Sequence, residues 1–147
     1  MTVMGSSLRE LSVKREKFET PVKLGRISNN INITNVTEKK VNAAGLKSVL
    51  VFEYTYICDY NLAEPKGKKL GEIKIIGEVM YSAEPEKIKR VLKDWKKKKI
   101  NSELLKEVLS VALNEAQIES LLLSRKVLLP PPVPLPTVKA GKEGLIG

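Results

Sequence analysis

The chain has 147 residues, 42% of them apolar and 29% charged, which is enough for one domain with its own core. Lysine and arginine outnumber aspartate and glutamate by 26 to 17, and the net charge of +9 favours anionic partners without defining a fold. A single cysteine excludes a disulfide within the chain, and no stretch approaches the ~20 apolar residues of a membrane-spanning helix. Because Met1 is followed by polar residues rather than an apolar run, we find no signal peptide and predict a cytoplasmic protein.

The first half of the chain predicts β-strands. Residues 1–10 are expected to be a flexible N-terminus, and residues 11–19 to form a polar edge strand that ends before Pro21. Residues 27–36 alternate between apolar and polar side chains, as a half-buried strand does. The clearest strand covers residues 48–60, because every second side chain is apolar and most are aromatic: Leu50, Phe52, Tyr54, Tyr56, Cys58 and Tyr60. A turn leads into a second alternating run at residues 70–81, so the two runs predict a hairpin whose aromatic side faces the core.

The second half predicts helices. Pro85 suits the first turn of a helix. Apolar side chains follow it at helical spacing: Ile88, Val91, Leu92 and Trp95. A longer helix begins at Asn101 or Ser102, either of which can serve as an N-cap, and runs to about Lys126. The predicted fold class is therefore α+β, a four-stranded antiparallel sheet followed by a short and a long helix. It forms a single domain over residues 11–138, with a flexible C-terminal tail at residues 139–147.

The long helix is apolar over more than half of its circumference. A helix of this kind is usually covered on two sides. The sheet can cover one side, and a second copy of the chain is the simplest cover for the other. The residues expected at this interface between subunits are Leu104, Val108, Val111, Ala112 and Ile118.

The sequence carries no pattern typical of an enzyme. It has no histidine, which is the commonest general base and a common metal ligand. Its glycines form no phosphate-binding motif, and its carboxylates show no metal-ligand spacing. Cys58 lies on the aromatic side of a strand, so we interpret it as a small buried side chain rather than a nucleophile. We predict no catalytic residue, no cofactor and no metal.

A lysine cluster follows the short helix. Lys96, Lys97, Lys98 and Lys99 lie at the helix C-terminus, where the macrodipole favours cations. They are either a solvated basic turn or an anion-binding patch for nucleic acid. The second interpretation makes the chain a basic nucleic-acid-binding module associated with translation, and we keep it as the alternative function.

The segment Leu-Leu-Pro-Pro-Pro-Val-Pro-Leu-Pro at residues 128–136, called the proline strap below, contains five prolines in nine residues. Proline has no N–H and a fixed φ, so the strap forms neither a helix nor a central strand. It loses little conformational entropy when it becomes ordered. Since it carries no charge, we expect it either to close the core of the domain or to border an apolar groove.

Two short stretches resemble a known family. Phe-Glu-Thr-Pro at residues 18–21 follows the first predicted strand, and Ser-Arg-Lys at residues 124–126 precedes the proline strap. With these motifs and the order of its elements over residues 10–138, the chain resembles the SecB-like export chaperones. Two features differ from the family. The chain is strongly basic, whereas members of the family have an acidic surface that docks to the export motor. The chain also lacks the glycine-rich segment that precedes the long helix in the family.

The resemblance implies a fold and a function. SecB-like chaperones have a four-stranded antiparallel sheet backed by helices, assemble as dimers or dimers of dimers, and hold unfolded clients in apolar grooves without ATP. The chain is therefore expected to be a homo-oligomeric holdase for unfolded or nascent polypeptides, linked to protein export. A dedicated chaperone for one toxin–antitoxin partner is the second role that this resemblance allows.

The surface expected to bind clients is the outward side of the hairpin with the strap beside it. Such a surface needs exposed apolar side chains framed by charge, and methionine helps it adapt to varied clients. The residues expected there are Val49, Val51, Ile57, Ile76, Met80, Leu128, Val133 and Leu135.

Overall fold

The computed structural model describes residues 2–43 and 46–134. Four strands precede two helices: β1 (Thr2–Arg15), β2 (Lys23–Ala43), β3 (Leu46–Glu64), β4 (Lys69–Ser82), α1 (Pro85–Lys96) and α2 (Ser102–Lys126). The strands form one antiparallel sheet in the order β1-β4-β3-β2. The predicted α+β fold, a four-stranded antiparallel sheet followed by a short and a long helix, is confirmed.

The β3–β4 hairpin forms the centre of the sheet. Its strands pair from Leu50↔Tyr81 to Asn61↔Lys69, and burial alternates along β4 and along β3 from Phe52 onward. The side chains that alternate toward the helices define the inner face of the sheet. All six residues of the predicted aromatic side are fully buried there: Leu50, Phe52, Tyr54, Tyr56, Cys58 and Tyr60. Because the run of alternation is long and uninterrupted, the sequence predicts this hairpin well.

Strand β1 begins far earlier than the sequence suggests. The expectation that residues 1–10 are a flexible N-terminus is wrong for residues 2–10, which pair with β4 from Thr2↔Ser82 onward. Two register shifts, between Val3 and Gly5 and between Leu8 and Glu10, interrupt the alternation. A bulge moves the following residues to the other face, so the side chains that face inward are spaced irregularly. They are Val3, Ser6, Leu8, Leu11, Val13 and Arg15.

Gly77 allows the Tyr54 ring to lie across β4. The two residues are register partners, and a Cβ atom at Gly77 would lie 2.5 Å from the Tyr54 hydroxyl oxygen. Since real Cβ atoms do not approach that closely, any side chain at position 77 would displace the ring. The ring uses this space to reach α2, where its hydroxyl donates a hydrogen bond of 2.8 Å to Glu115.

Helix α2 packs on the inner face through a row of residues spaced four apart. Its N-cap is Asn101, whose side chain accepts hydrogen bonds from the backbone of Glu103 and Leu104. The buried row consists of Leu104, Val108, Ala112, Ala116, Ser120 and Ser124. The small residues in its second half let the helix approach the tyrosine layer, and each of the two serines donates to a carbonyl of its own helix.

Helix α1 covers the same face of the sheet at its other end. Pro85 occupies the first turn, and the buried side chains are Ile88 and Val91. They belong to the same apolar cluster as Phe52 and Tyr81. Both helices therefore lie on the inner face, and no helix in the described residues packs on the opposite, outer face of the sheet.

Candidate functional site

The outer face of the sheet brings together five of the side chains predicted to bind clients, namely Val49, Val51, Ile57, Ile76 and Met80. Val51 pairs with Met80, Thr55 with Ile76, and Ile57 with Lys74, so the alternate residues of β3 and β4 share this face. Ile57, Ile76 and Met80 are half-buried, without a covering helix. The result is a shallow apolar surface on a rigid hairpin.

Ion pairs surround these apolar side chains. Arg9 on β1 contacts Glu53 on β3 at 2.6 Å and Glu78 on β4 at 3.4 Å, so it links three strands. Lys74 lies 3.8 Å from Glu10. Sequence reasoning did not find Arg9 and Glu10, because residues 1–10 lack the alternation of a strand. The charges keep the outer face hydrated while its aliphatic side chains stay accessible.

Two of the predicted client-binding residues are not accessible. Val49 and Val51 belong to the outer face by their strand positions, but only 1% and 7% of their surfaces are exposed. The expectation that they offer exposed apolar surface is therefore wrong for this subunit. Ile57, Ile76 and Met80 remain the accessible members of the predicted set on this face.

The described part of the proline strap, residues 128–134, lies on the inner face, opposite Ile76 and Met80. Leu129 is buried against Gly71 on β4. Tyr60 on β3 donates a hydrogen bond of 2.7 Å to the Pro130 carbonyl, and Asn29 on β2 donates one of 2.9 Å to the Pro132 carbonyl. The strap thus crosses β4, β3 and β2 in turn.

This path corrects the expected position of the strap beside the outward face of the hairpin. Because proline carbonyls accept hydrogen bonds although the ring nitrogen donates none, an extended proline segment can be anchored by side-chain donors alone. Leu128 is 79% exposed and Val133 is half-buried, both on the inner side. Leu135 lies outside the described residues.

The residues predicted to join subunits fall into two groups. Leu104, Val108 and Ala112 are buried against the chain's own sheet, so they cannot form a contact between subunits. Val111 is half-buried and Ile118 is 55% exposed. The sequence identified α2 correctly as a broadly apolar helix but assigned part of its sheet-packing side to the interface.

An open groove runs between α2 and the edge strand β1. One part of it, with a volume of about 560 Å³, is lined by Ser6, Val111, Ile118 and Glu119 among others. A second part of about 410 Å³ adds Leu11 and Leu122. Ile118, Leu122 and Leu11 are each more than 40% exposed, so this groove is the most exposed apolar surface in the described residues.

Glu115 anchors the floor of this groove. Its carboxylate accepts hydrogen bonds from the Tyr54 hydroxyl on β3 and from the Ser6 hydroxyl on β1. Burial, with the Glu115 carboxylate beside it, raises the pKa of Tyr54 well above its ordinary value. Tyr54 therefore remains protonated and acts as a structural donor between β3 and α2.

The buried polar groups of the inner face have pKa values set by burial. Burial raises the pKa of Cys58 to about 11 and that of Tyr56 to about 12, and it raises the pKa of Tyr60 as well. A thiol with so high a pKa is a poor nucleophile near neutral pH. Among the described residues, no group of three or more Cys, Asp or Glu side chains could hold a metal ion.

The lysine cluster is exposed and ordered. Helix α1 ends at Lys96, and Lys98 adopts a positive φ of 58° in the turn that follows. The ammonium group of Lys98 lies 4.5 Å from the centre of the Trp95 ring, a cation–π contact.

Comparison of the chain with protein-family models, with curated proteins and with solved structures found no match. Neither helix of the described part of the chain is long and apolar enough to cross a membrane.

Proposed function

We propose that this protein is a SecB-like holdase, which binds unfolded or nascent polypeptides without ATP on the outer face of its sheet. The observation that carries the proposal is a broad sheet whose outer face, in the described residues, has no covering helix and leaves Ile57, Ile76 and Met80 accessible. Its strands have 14, 21, 19 and 14 residues, whereas typical strands have about 5–6. Both helices and residues 128–134 of the proline strap pack on the inner face.

The chemistry of the outer face suits a client of variable sequence. Ile57, Ile76 and Met80 offer apolar contacts, and the ion pairs of Arg9 and Lys74 surround them. Alternating apolar and charged positions can contact the alternating side chains of an extended polypeptide. Met80 adds a flexible side chain that fills irregular gaps. Such binding requires no catalytic residue and no cofactor.

The positions of the family-like motifs support the same proposal. Residues 18–21 lie in the connection between β1 and β2, and residues 124–126 end α2 immediately before the strap. This order of elements around the two motifs is the support that the resemblance to SecB-like chaperones lends to the proposal.

The groove between α2 and β1 is the surface that we assign to the homo-oligomer, a dimer or a dimer of dimers. Ile118, Leu122 and Leu11 expose more apolar surface there than any part of the outer face does. A stable interface buries roughly 800 Å² on each partner, and a helix with its neighbouring edge strand can supply such an area. Assembly through this groove leaves the outer face free for clients.

Aggregation of chemically denatured citrate synthase, followed by light scattering without nucleotide, tests the proposal. The wild type is expected to suppress aggregation at roughly stoichiometric amounts. The double variant Ile57→Asp with Ile76→Lys should lose most of this protection. Each new charge faces an opposite one in the sheet, since Ile57 pairs with Lys74 and Ile76 pairs with Glu10. The variant therefore keeps the net charge and the fold while it removes apolar surface.

Leu128→Asn is the matched control on the inner side. Leu128 is 79% exposed with a φ of 59°, a conformation that asparagine tolerates well, so the change removes an exposed apolar side chain without strain. This variant should protect as well as the wild type. Full protection by the Ile57/Ile76 variant, or none by the wild type, would contradict the proposal.

A further inference from the structure

We propose that α1 and the turn after it form a second binding surface, independent of the outer face, which holds double-stranded nucleic acid by its phosphates. From Lys87 to Lys99, eight of thirteen residues are lysine or arginine and one, Asp94, is acidic. This segment carries a charge of +7 in a chain whose total is +9. Seven of the eight cations are exposed: Lys89, Arg90, Lys93, Lys96, Lys97, Lys98 and Lys99.

No ion pair among the described residues neutralises these charges. All ion pairs among the described residues join side chains of β1, β3 and β4 or of the segment just after β1, and none includes a residue of the basic segment. The two cation–π contacts, of Lys87 with Tyr81 and of Lys98 with Trp95, leave the positive charge in place. Self-repulsion of so many like charges is unfavourable, so a polyanion that displaces their counterions would bind with a favourable free energy.

The lysine run is held in a defined turn. The Lys99 N–H donates to the Asp94 carbonyl and the Lys98 N–H donates to the Trp95 carbonyl, a Schellman pattern in which glycine usually takes the place of Lys98. Lys98 takes the left-handed conformation with φ 58° in spite of the cost to a residue with a Cβ. The helix macrodipole favours cations in the last turn only, so it does not account for Lys89 and Arg90.

The fold argues for a duplex rather than a membrane or a single strand. A helix that lies in a membrane surface inserts an apolar side, but α1 buries Ile88 and Val91 in the core of its own domain. Proteins that bind single strands stack bases on exposed aromatic rings. In the described part of the chain, every Phe, Tyr and Trp side chain is buried or half-buried.

The dimensions agree with contacts to several phosphates. Helix α1 has 12 residues and so a length of about 18 Å. Each strand of a duplex presents a phosphate about every 3.4 Å along the axis, so the helix can span about five. Lysine contacts phosphates as a point charge, so the binding is expected to be independent of base sequence.

Titration of a short labelled RNA duplex and of a DNA duplex of the same sequence, by fluorescence anisotropy at several salt concentrations, tests this inference. At least one duplex should bind, with a slope of log K against log salt of about −4. The double variant Lys93→Gln with Lys97→Gln should reduce the magnitude of that slope by about 2. Lys66→Gln with Lys68→Gln makes the same change in net charge in the β3–β4 turn, about 40 Å along β3 from α1, and should leave the slope unchanged.

Two results would overturn the inference. Equal losses in the two pairs of variants would mean that net charge, rather than this surface, attracts the duplex. Binding to polyglutamate or to phosphatidylserine vesicles without binding to either duplex would assign the surface to an acidic protein or to a membrane. Neither result bears on client binding, because the outer face carries none of these lysines.

Discussion

Val108→Lys is expected to unfold the subunit or to lower its free energy of unfolding by about 4 kcal/mol. Val108 is fully buried between α2 and the sheet, and its neighbours in the row, Leu104 and Ala112, offer no partner for a charge. An unpaired charge in such a site must deprotonate or displace the helix, and either costs several kcal/mol. Since small proteins have a total stability of about 5–15 kcal/mol, urea unfolding followed by circular dichroism will show the loss clearly.

Ile118→Lys introduces a lysine on the exposed side of the same helix. Ile118 is 55% exposed and lies in the groove beside Glu115 and Glu119, so the subunit should keep its stability to within about 0.5 kcal/mol. Its mass measured by light scattering should fall to that of a monomer. If Val108→Lys instead gives a stable monomer while Ile118→Lys remains assembled, the subunits meet through the Leu104, Val108 and Ala112 side of α2 and not through this groove.

Alkaline pH is expected to unfold the protein before about pH 12. Four buried groups have raised pKa values, namely Tyr54, Tyr56, Cys58 and Tyr60. In the unfolded chain they release protons from their ordinary values of 9.0 for cysteine and 10.0 for tyrosine, whereas the folded protein retains them. These four groups therefore leave the stability unchanged below about pH 9 and lower it above that pH, by up to about 5 kcal/mol per pH unit once all four contribute.

Urea midpoints measured from about pH 8 to about pH 11 will give this dependence. Tyr54→Phe removes one of the four groups, and Glu115 keeps its hydrogen bond from Ser6. The slope above pH 10 should then decrease by about 1.4 kcal/mol per pH unit. Midpoints that stay constant up to about pH 11 would show that these groups titrate with ordinary pKa values and are not held in a closed core.

The sequence predicts the fold best where one local rule acts without interruption. Alternation over residues 48–60 and 70–81 predicts the β3–β4 hairpin and its buried side. Asn101, the N-cap of α2 in the structure, is one of the two N-cap residues that the sequence predicts. The prediction from sequence fails at β1, because two bulges change the face of the sheet on which the following side chains lie. A bulge depends on pairing with β4, which is a tertiary contact that local patterns do not contain.

The buried side of α2 is a second feature that the sequence does not predict. A row of residues spaced four apart turns by about 40° at each step, so the buried side rotates by about 200° between Leu104 and Ser124. The number of apolar residues around the helix predicts that its apolar surface is broad. It does not predict which side of the helix packs on the sheet at each turn. The assignment of Val108 and Ala112 to a subunit interface fails for this reason.

The position of the proline strap likewise could not be predicted from the sequence. Its composition correctly indicates an extended, apolar segment that packs on the domain, but either face of the sheet would accept it. The turn at Leu128 and the donors Tyr60 and Asn29 direct it to the inner face, and these contacts appear only in the folded chain. Of the residues predicted to bind clients, Ile57, Ile76 and Met80 are therefore the accessible ones on the outer face.

Photo-cross-linking to a labelled unfolded polypeptide is the most direct test of the proposed client site. A photo-reactive side chain is introduced at Ile76 on the outer face, or at Leu128 on the inner side, and each protein is irradiated with the polypeptide in the absence of nucleotide. We expect efficient cross-linking from position 76 and little from position 128, although Leu128 is the more exposed residue. Cross-linking from position 128 but not from position 76 would contradict the assignment, because clients would then bind on the side of the strap and the helices.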